Sequence, residues 1–274
     1  MLKRRKPCTP GQRHVVRMKV DTEGGVKTVP LSLRRGKQQQ SGRNNRGRIT
    51  VRHRGGGAKR LLRVRGTRQG TAKVIGVQYD PNRSGRLALL QGVETKACGY
   101  VLAAEGLTVG QVITVEGGKS SVGATNLSTR VGSTRMLRSI PVGSKVFNIE
   151  LEPGKGGKYV RTAGASATLL RKPGVNALLR LPSGTRIEVS LDCTATVGQV
   201  SGEDHRMEVM GKAGRVRNRG WRPCVRGEAM NPIDHPHGGR TRGGRPEVTP
   251  WGRIAKGKPT RSKKKVSRWV VSLS

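Results

Sequence analysis

Aromatic and acidic residues are scarce in this sequence. Aromatic residues make up 3% of the 274 positions, with a single Phe, and 16 Asp and Glu face 55 Lys and Arg. The formal net charge of +39 makes a compact chain repel itself unless a polyanion neutralises it. A hydrophobic content of only 33% excludes well-filled cores along the whole length. The composition therefore predicts a protein that works bound to a polyanion, and nucleic acid is the leading candidate.

Long hydrophobic runs and paired cysteines are also missing. No run approaches the roughly 18 apolar residues that a membrane-spanning helix needs. Cys8, Cys98, Cys193 and Cys224 are widely spaced and form no C-x-x-C pair. This spacing excludes a dense disulfide scaffold and indicates free thiols in a reducing compartment.

The positive charge is unevenly distributed along the chain. Residues 1–73 hold 22 basic and 2 acidic residues, residues 205–274 hold 18 and 4, and the middle segment, 74–204, holds 15 and 10. The middle thus has the balance of an ordinary globular domain, between two arms rich in Gly and Pro. Such arms either stay solvated and disordered or fold against phosphate, where counterion release supplies free energy. Isolated large hydrophobes such as Trp221, and the lack of repeats, favour folding on nucleic acid.

The middle segment carries short β-branched runs separated by turn signals. Many of these runs follow one another at roughly 12 residues, as in small antiparallel barrels and sandwiches. In the last run apolar and polar residues alternate with a period of two, as in a strand with one solvent-exposed face. A helix over residues 164–172 is the alternative to one strand. The predicted strands span residues 73–80, 87–90, 100–103, 112–115, 145–151, 167–170, 176–181 and 185–191.

These patterns predict a mainly β fold with two small barrels in series. The predicted segments are a basic N-terminal extension, 1–73, barrels at 74–126 and 127–200, and a basic C-terminal extension, 201–274. The two extensions are expected to be long and extended, because they carry too few apolar residues to offset the entropy of folding alone. No stretch shows long helical periodicity.

Three glycine-rich basic segments suit phosphate contact. Glycine lets backbone N–H groups approach phosphate closely, and neighbouring Arg or Lys supply charged donors. In residues 41–60 we predict an extended RNA-contacting strand, since the spacing of a nucleotide-binding P-loop is missing. In residues 79–84 a strand-end turn is expected to present Arg83 outward, and residues 153–164 form a further Gly–Lys loop. An ordinary polar hairpin and a flexible loop are the plain alternatives for these two.

A histidine-containing segment, residues 230–240, comes nearest to a catalytic pattern. Asp234, His235 and His237 lie within four residues, and such groups can act as a general base or bind a metal. A closed zinc site would need two further ligands, and Cys224, eleven residues before His235, has no second cysteine nearby. Two prolines fix φ around the histidines. We therefore predict no metal and no catalytic residue here, but a rigid loop packed against RNA.

Taken together and in order, these segments resemble the universal family of large ribosomal subunit protein two, in its bacterial and organellar form. The match includes Gly-Arg-Asn-Asn at 42–45, Tyr-Asp-Pro-Asn-Arg-Ser at 79–84 and Pro-Gly-Lys-Gly-Gly at 153–157. Its most specific motif is Met-Asn-Pro-Ile-Asp-His-Pro-His-Gly-Gly at 230–239. The motifs cover nearly the whole chain. The resemblance implies an oligonucleotide-binding-fold barrel followed by an SH3-like barrel, with basic tails that penetrate large-subunit rRNA.

The same resemblance implies a structural role in translation and no enzymatic activity. It implies binding to large-subunit rRNA and neighbouring ribosomal proteins, subunit association across the interface with the small subunit, and tRNA positioning. No membrane, small-molecule substrate or cofactor is implied, apart from rRNA-associated magnesium. Asp234, His235 and His237 would lie near the peptidyl transferase centre, where RNA carries the chemistry. The predicted rRNA-binding residues are Arg43, Arg46, Arg48, His53, Arg54, Lys59, Arg60, Arg83, Lys155, Lys158, Arg161, Arg226, His235, His237 and Arg240.

The sequence departs from the bacterial pattern after the histidine motif. Residues 240–245 are basic where bacterial members usually have an acidic Gly-Glu-Gly, so the local rRNA or magnesium contact is expected to differ. Residues 241–246 look more like mitochondrial and alphaproteobacterial members. Residues 1–20 contain one Ser or Thr and lack amphipathic order, so no transit peptide is evident. We therefore predict the large subunit of a mitochondrial ribosome, in the matrix, with bacterial cytoplasm and plastid as alternatives.

Two other functions fit the composition. One is a nucleic-acid-packaging protein that binds DNA without sequence preference, although such a protein seldom needs two barrels and a histidine loop. The other is an RNA-acting enzyme that uses Asp234 and His235, although no pocket-forming core is evident around them in the sequence.

Overall fold

The computed structural model describes residues 2–18, 30–66, 70–116, 130–239, 245–257 and 267–272. Within these ranges the chain forms short β-strands, one short helix, α1, at Ala213–Asn218, and 3-10 turns at Leu31–Leu33, Glu203–Met207 and Gly227–Ala229. The strands, numbered in chain order, are β1 Leu2–Arg4, β2 Val16–Met18, β3 Arg34–Gly36, β4 Leu61–Arg63, β5 Gly70–Gln78, β6 Leu87–Gly92, β7 Cys98–Leu102, β8 Val112–Val115, β9 Thr134–Met136, β10 Lys145–Phe147, β11 Ala167–Arg171, β12 Asn176–Arg180, β13 Arg186–Ser190, β14 Thr194–Val197 and β15 Val270–Ser272.

The first β core is an antiparallel array of β5 to β8. Strand β5 pairs with both β6 and β8, and β7 extends the array beyond β6. Along β5, Val74 is buried while Lys73 is exposed, because successive side chains of a strand point to opposite faces. Val74, Leu89 and Ile113 are at most 2% exposed. Each such aliphatic side chain stabilises the core by about 1.5–3 kcal/mol when it leaves water.

The second β core is formed by β10 to β14 together with β9. Leu169, Leu179 and Ile187 are fully buried in it, and Leu179 faces Ile187 across the β12–β13 hairpin. The hairpin turns at Gly184, whose φ of +87° lies in the left-handed region that favours glycine. The predicted turn and the predicted alternation in the second hairpin strand are therefore both present.

The two cores belong to one sheet. Among the described residues, eleven strands are hydrogen-bonded in the order β15-β13-β12-β11-β10-β14-β9-β8-β5-β6-β7. Strands β8 and β9 join the cores through one parallel pair, Val115 with Thr134. The mainly β fold class is confirmed, and two separate core clusters in series agree with an oligonucleotide-binding-fold barrel followed by an SH3-like barrel.

The eight predicted strands all occur; β8 has the predicted ends, and the other seven differ from prediction at one or both ends. The strand predicted for 145–151 ends at Phe147, because Asn148 adopts a φ of +50° that breaks the extended backbone. The helix considered for 164–172 is absent, and β11 occupies that part of the described chain. Strand β14, Thr-Ala-Thr-Val, was not predicted, and all four of its residues are buried, the threonines included.

Part of the predicted N-terminal extension is folded. Strands β1 and β2 form a hairpin, and Val16 exchanges backbone hydrogen bonds with Val209 at 3.1 and 3.0 Å. Val15 is 1% exposed. A Cβ built on Gly211 would lie 2.5 Å from the Val15 side chain, so this packing needs glycine there.

The chain divides into two compact units. One, which we call the barrel unit, comprises Met1–Gln38, Lys59–Lys212 and Trp269–Ser274, and the other, the loop unit, comprises Gln39–Ala58 and Ala213–Arg268. The boundaries predicted for the four sequence segments stay predictions. Nowhere in the described ranges does a helix have the length and hydropathy needed to cross a membrane.

Candidate RNA interface

In the barrel unit, the turn after β5 is built around a buried carboxylate. Asp80 is 0% exposed, and its Oδ1 accepts hydrogen bonds from the backbone N–H and the side-chain amide of Asn82, both at 3.0 Å. Nε of Arg83 donates to Oδ2 at 2.6 Å, and Nη1 of Arg63 lies 3.8 Å from Oδ1. A carboxylate removed from water is tolerated only with such charged and hydrogen-bonded partners. We call this group the Asp80 network.

Arg83 does not project outward as predicted. Its side chain is only 15% exposed, because Asp80 holds its Nε. That bond uses one of the five N–H donors of a guanidinium. Sequence reasoning missed Asp80 and Arg63. The available signal was that Asp80 is the only acid between Glu23 and Glu94.

Two further arginines concentrate positive charge at the same network. Burial lowers the pKa of Arg65, the positive charges of Arg161 and Arg83 lower it further, and Asp80 opposes them. Several guanidinium groups thus share one carboxylate. The surplus positive charge makes this surface attractive to phosphate, which guanidinium groups bind through paired, charge-assisted hydrogen bonds.

The loop at 153–164 positions Arg161. Glu150, 6% exposed, accepts the backbone N–H of Gly156 at 2.9 Å and that of Thr194 at 3.0 Å. Val160 adopts a φ of +54°, a conformation that costs a β-branched residue about 1–3 kcal/mol and is typical of functional sites. Nη1 of the following Arg161 donates to a carbonyl of the loop at 2.8 Å.

The other predicted residues of the barrel unit have simpler surroundings. Lys59 and Lys158 are exposed. Lys155 is exposed too, but it pairs with Glu152, which offsets its charge. Nη1 of Arg60 donates to a carbonyl of the turn after β5 at 3.2 Å. The structure therefore brings Arg60, like Arg83 and Arg161, to the Asp80 network and leaves the lysines apart from it.

In the loop unit, the extended strand predicted for residues 41–60 is wrong. The segment turns repeatedly, and even His53 adopts a φ of +59°. The carbonyl of Gly42 accepts the backbone N–H groups of Thr50 and Val51 at 2.9 and 3.0 Å. A Cβ at Gly42 would lie 2.1 Å from the Val51 carbonyl oxygen. Glycine at position 42 thus permits close backbone packing.

One of these turns displays three predicted arginines. Oδ1 of Asn44 accepts the backbone N–H groups of Arg46 and Arg48 at 3.0 and 2.9 Å, which is how Asn stabilises a tight turn. Nη1 of Arg43 donates to the Gly47 carbonyl at 2.8 Å. All three side chains are exposed, so they can reach phosphate without unfolding the turn.

Two other arginines of the loop unit lie over tryptophan rings. Cζ of Arg54 is 3.4 Å from the ring centroid of Trp221, and Cζ of Arg52 is 5.0 Å from that of Trp251. Cation–π contacts at exposed sites contribute about 0.5–1 kcal/mol. Trp221 and Trp251 of the C-terminal segment therefore help to hold these arginines in place. Arg52 was not among the predicted residues, and its partner is about 200 positions away in the sequence.

The histidine loop is packed around His235. This side chain is 8% exposed, and its Nδ1 accepts the backbone N–H of His237 at 3.0 Å, so the neutral ring carries its proton on Nε2. A Cβ at Gly227 would lie 2.6 Å from the same Nδ1, and one at Gly238 would lie 2.2 Å from the Asn231 carbonyl. Glycine is therefore required at positions 227 and 238 for the close packing of this loop.

Asp234 does not orient the histidines. It is exposed, and within the described ranges no hydrogen bond joins its carboxylate to either imidazole, whose centroids lie 4.5 Å apart. Backbone groups contact the two rings instead: the His237 N–H bonds to His235, and the Pro246 carbonyl bonds to His237. The described residues likewise hold no group of three or more potential metal ligands.

The remaining predicted contacts lie around this loop. Arg226 is exposed immediately before the 3-10 turn Gly227–Ala229. The ring of His237 is hydrogen-bonded to the Pro246 carbonyl. Arg240 lies outside the described residues.

Two family models match most of the chain. "Ribosomal Proteins L2, RNA binding N-terminal domain" matches residues 31–115, which include the Asp80 network, and "Ribosomal Proteins L2, C-terminal domain" matches residues 130–265. The chain belongs to the ribosomal protein L2 family. This membership confirms the resemblance drawn from the sequence motifs.

Curated L2-family proteins align with the chain from end to end. Proteins named large ribosomal subunit protein uL2 from Shewanella denitrificans and Shewanella baltica are 44% identical to it, and that of Alcanivorax borkumensis is 43% identical. Each alignment covers 97% of this chain and 96% of the relative. These three relatives are bacterial, so they establish the family without establishing a mitochondrial compartment.

Proposed function

We propose that this L2-family chain is a structural constituent of the large ribosomal subunit and binds its rRNA. The observation that carries the proposal is the Asp80 network, which holds several arginines in place within the segment that matches the family's RNA-binding model. Guanidinium groups held in place lose little entropy when they bind phosphate. A net charge of +39 adds a large counterion-release contribution.

Within the subunit, the chain binds rRNA and neighbouring ribosomal proteins, and supports subunit association, tRNA positioning and the architecture around the peptidyl transferase centre. The loop with Asp234, His235 and His237 lies near that centre. The family resemblance supports this role, and so does the burial of His235, because a loop held in one conformation can shape surrounding RNA.

The chain supplies no catalytic residue in this proposal, and rRNA-associated magnesium is the only cofactor. We expect His235→Ala to lower the yield of assembled ribosomes while each assembled ribosome forms peptide bonds at the normal rate. Subunit yield and the single-turnover puromycin reaction measure the two effects separately. His14→Ala, at an exposed histidine, is the control. Normal yield with abolished peptide-bond formation would overturn the structural role and favour the enzyme hypothesis.

The mitochondrial matrix remains our prediction for the compartment, with bacterial cytoplasm and plastid as alternatives. The likeness of residues 241–246 to mitochondrial and alphaproteobacterial members is what supports the mitochondrion, whereas the bacterial relatives support only a ribosomal location. Fractionation of source cells into organelles and cytosol, followed by blotting for the chain, decides between them.

Sedimentation tests the main proposal. Lysate is run through a magnesium-containing sucrose gradient before and after ribonuclease, and the chain is detected by blotting. We expect it to co-migrate with large subunits and whole ribosomes, and to leave those fractions after digestion. A peak with free protein or DNA, unchanged by ribonuclease, would contradict the proposal and support nucleic-acid packaging.

A further inference from the structure

A basic cavity lies within the loop unit. Its volume is about 660 Å³, inside the range of roughly 300–1,000 Å³ of small-molecule sites. The walls come from the turns of residues 41–56 and from Arg222. Neutralising an RNA backbone needs only a basic surface, whereas a half-open concavity of this size has room for a group that enters it.

The lining is strongly cationic. Arg43, Arg52, Arg54 and Arg222 all contribute to it, and none of the described lining residues is acidic. Four guanidinium groups around one concavity attract an anion, and phosphate oxygens match their forked donors.

The same cavity also has surface suited to a planar, uncharged group. Ile49 and Val51 line it and remain 59% and 50% exposed. Arg54 lines it as well, with its guanidinium stacked over Trp221. RNA-binding proteins stack unpaired bases on apolar, aromatic and guanidinium surfaces of this kind. Phosphate-binding and base-stacking groups are therefore present in one cavity.

Backbone contacts hold the cavity walls. The Arg222 N–H donates to the His53 carbonyl at 3.1 Å, and this bond ties the two chain segments of the lining together. A Cβ at Gly55 would lie 3.1 Å from the Ser41 side chain, tighter than most real contacts. A site formed before its ligand arrives loses less entropy on binding.

We propose that this cavity binds one unpaired RNA nucleotide, with the base against Val51 and the Arg54 guanidinium and the phosphate paired with Arg222. The inference deepens the proposed function and rests on it. Only a nucleotide extruded from its helix can enter such a site, because a paired base is covered by its neighbours in the stack.

The test measures the preference of the full chain for an extruded nucleotide. Two RNA hairpins differ only by one bulged nucleotide, and their dissociation constants are measured by fluorescence anisotropy at one salt concentration. We expect the bulged hairpin to bind roughly tenfold more tightly, since stacking of a single base contributes about that factor.

Two valine substitutions separate the cavity from net charge. Val51→Glu places a carboxylate in the cavity, and Val225→Glu places one at a valine outside the lining with similar exposure, 55% against 50%. Both should weaken binding to the paired hairpin alike, because they change the net charge equally. Only Val51→Glu should reduce the bulge preference, to less than about twofold.

A second pair of variants keeps the test decisive if Val51→Glu fails to fold. Arg222→Gln removes a lining arginine, and Arg253→Gln removes an exposed arginine of the same unit outside the lining. We expect Arg222→Gln to weaken the bulged hairpin selectively and Arg253→Gln to weaken both hairpins equally. Circular dichroism confirms that each variant is folded.

Equal affinity of the wild-type chain for the two hairpins would overturn this inference. So would a bulge preference that persists in folded Val51→Glu and in Arg222→Gln. Either result leaves the ribosomal proposal intact, since that proposal fails only when the chain does not co-sediment with large subunits.

Discussion

The barrel unit and the loop unit hold their arginines in different ways. In the barrel unit a buried carboxylate, Asp80, is bonded to Arg83 and lies near Arg63. In the loop unit Arg54 and Arg52 lie over tryptophan rings, and the neighbouring turns are closed by backbone and asparagine hydrogen bonds. The barrel unit offsets the positive charge of its arginines with a carboxylate, whereas the loop unit positions its arginines with uncharged groups.

The difference has an energetic consequence. A buried carboxylate with arginine partners is costly to break, because removing one member leaves an uncompensated charge out of water. A guanidinium over an exposed ring is stabilised weakly and keeps its full charge for RNA. We therefore expect the barrel unit to depend on its ion pairs for stability, and the loop unit to depend on backbone packing.

Salt should produce the largest effect. Between about 50 and 200 mM salt we expect affinity for rRNA to fall by about 10³–10⁵, as for a protein that neutralises six to ten phosphates. Arg60→Gln with Arg83→Gln, and separately Arg46→Gln with Arg48→Gln, should each lower the log–log salt slope by about 2. Arg138→Gln, at an exposed arginine outside the predicted set, is the control. A slope unchanged by one pair would show that its unit does not contact phosphate.

Removing the buried carboxylate should be the next largest effect. We expect Asp80→Asn to lower the free energy of unfolding by about 3 kcal/mol, because Arg83 and Arg63 lose their counter-charge in a mostly buried site. Asp192→Asn breaks an ion pair whose side chains are 54% and 68% exposed and should cost less than about 1 kcal/mol. Urea unfolding measures both. Equal losses would contradict a special role for Asp80.

Backbone packing in the loop unit should matter slightly less. We expect Gly238→Ala to destabilise by about 1–3 kcal/mol, because its Cβ would meet the Asn231 backbone at 2.2 Å. Gly214→Ala, in helix α1 with nothing within 4 Å of the added Cβ, should instead stabilise by about 0.5–1 kcal/mol. Thermal unfolding gives the sign of each change. A neutral Gly238→Ala would show that the loop can rearrange.

The smallest effect should come from the arginine–tryptophan contacts. Arg54→Gln should lower the free energy of unfolding by about 1 kcal/mol and Arg52→Gln by about 0.5 kcal/mol or less, because the ring of Trp251 is farther from its arginine than that of Trp221. Tryptophan fluorescence during urea unfolding reports on both. If Arg54→Gln lowered the free energy of unfolding as much as Asp80→Asn, the two units would not differ in how strongly they hold their arginines.

The strands were predictable where side chains alternate or β-branched residues cluster. Strand β8 matches its predicted bounds, and the turn at Gly184 follows from Pro-Ser-Gly. Strands β1 to β4, β9, β14 and β15 were missed. Strand β15, for example, pairs with β13 from about 80 positions away, and no local pattern can report such a partner. The wrong extended strand at 41–60 has a different origin, because the turns of residues 42–51 are closed by local hydrogen bonds of Gly42 and Asn44 that the prediction did not consider.

The sequence predicted which basic segments form the candidate interface. It did not predict how their side chains are arranged in space. Arg60, Arg83 and Arg161 were named from glycine-rich motifs, yet their convergence on Asp80 involves chain segments up to about 100 residues apart. The cavity with Arg222 was invisible for the same reason. Its lining joins residues 41–56 to a position far along the chain.

The sequence by itself determined that this chain needs a polyanion, that its middle forms β-strands and that its glycine motifs belong to the L2 family. Charge balance, side-chain periodicity and ordered motifs are local or additive properties, so they can be read without coordinates. Only the tertiary structure decided which arginines share Asp80, which lie over tryptophan and why His235 is buried. Those outcomes depend on distances between residues remote in sequence, and only the folded backbone sets such distances.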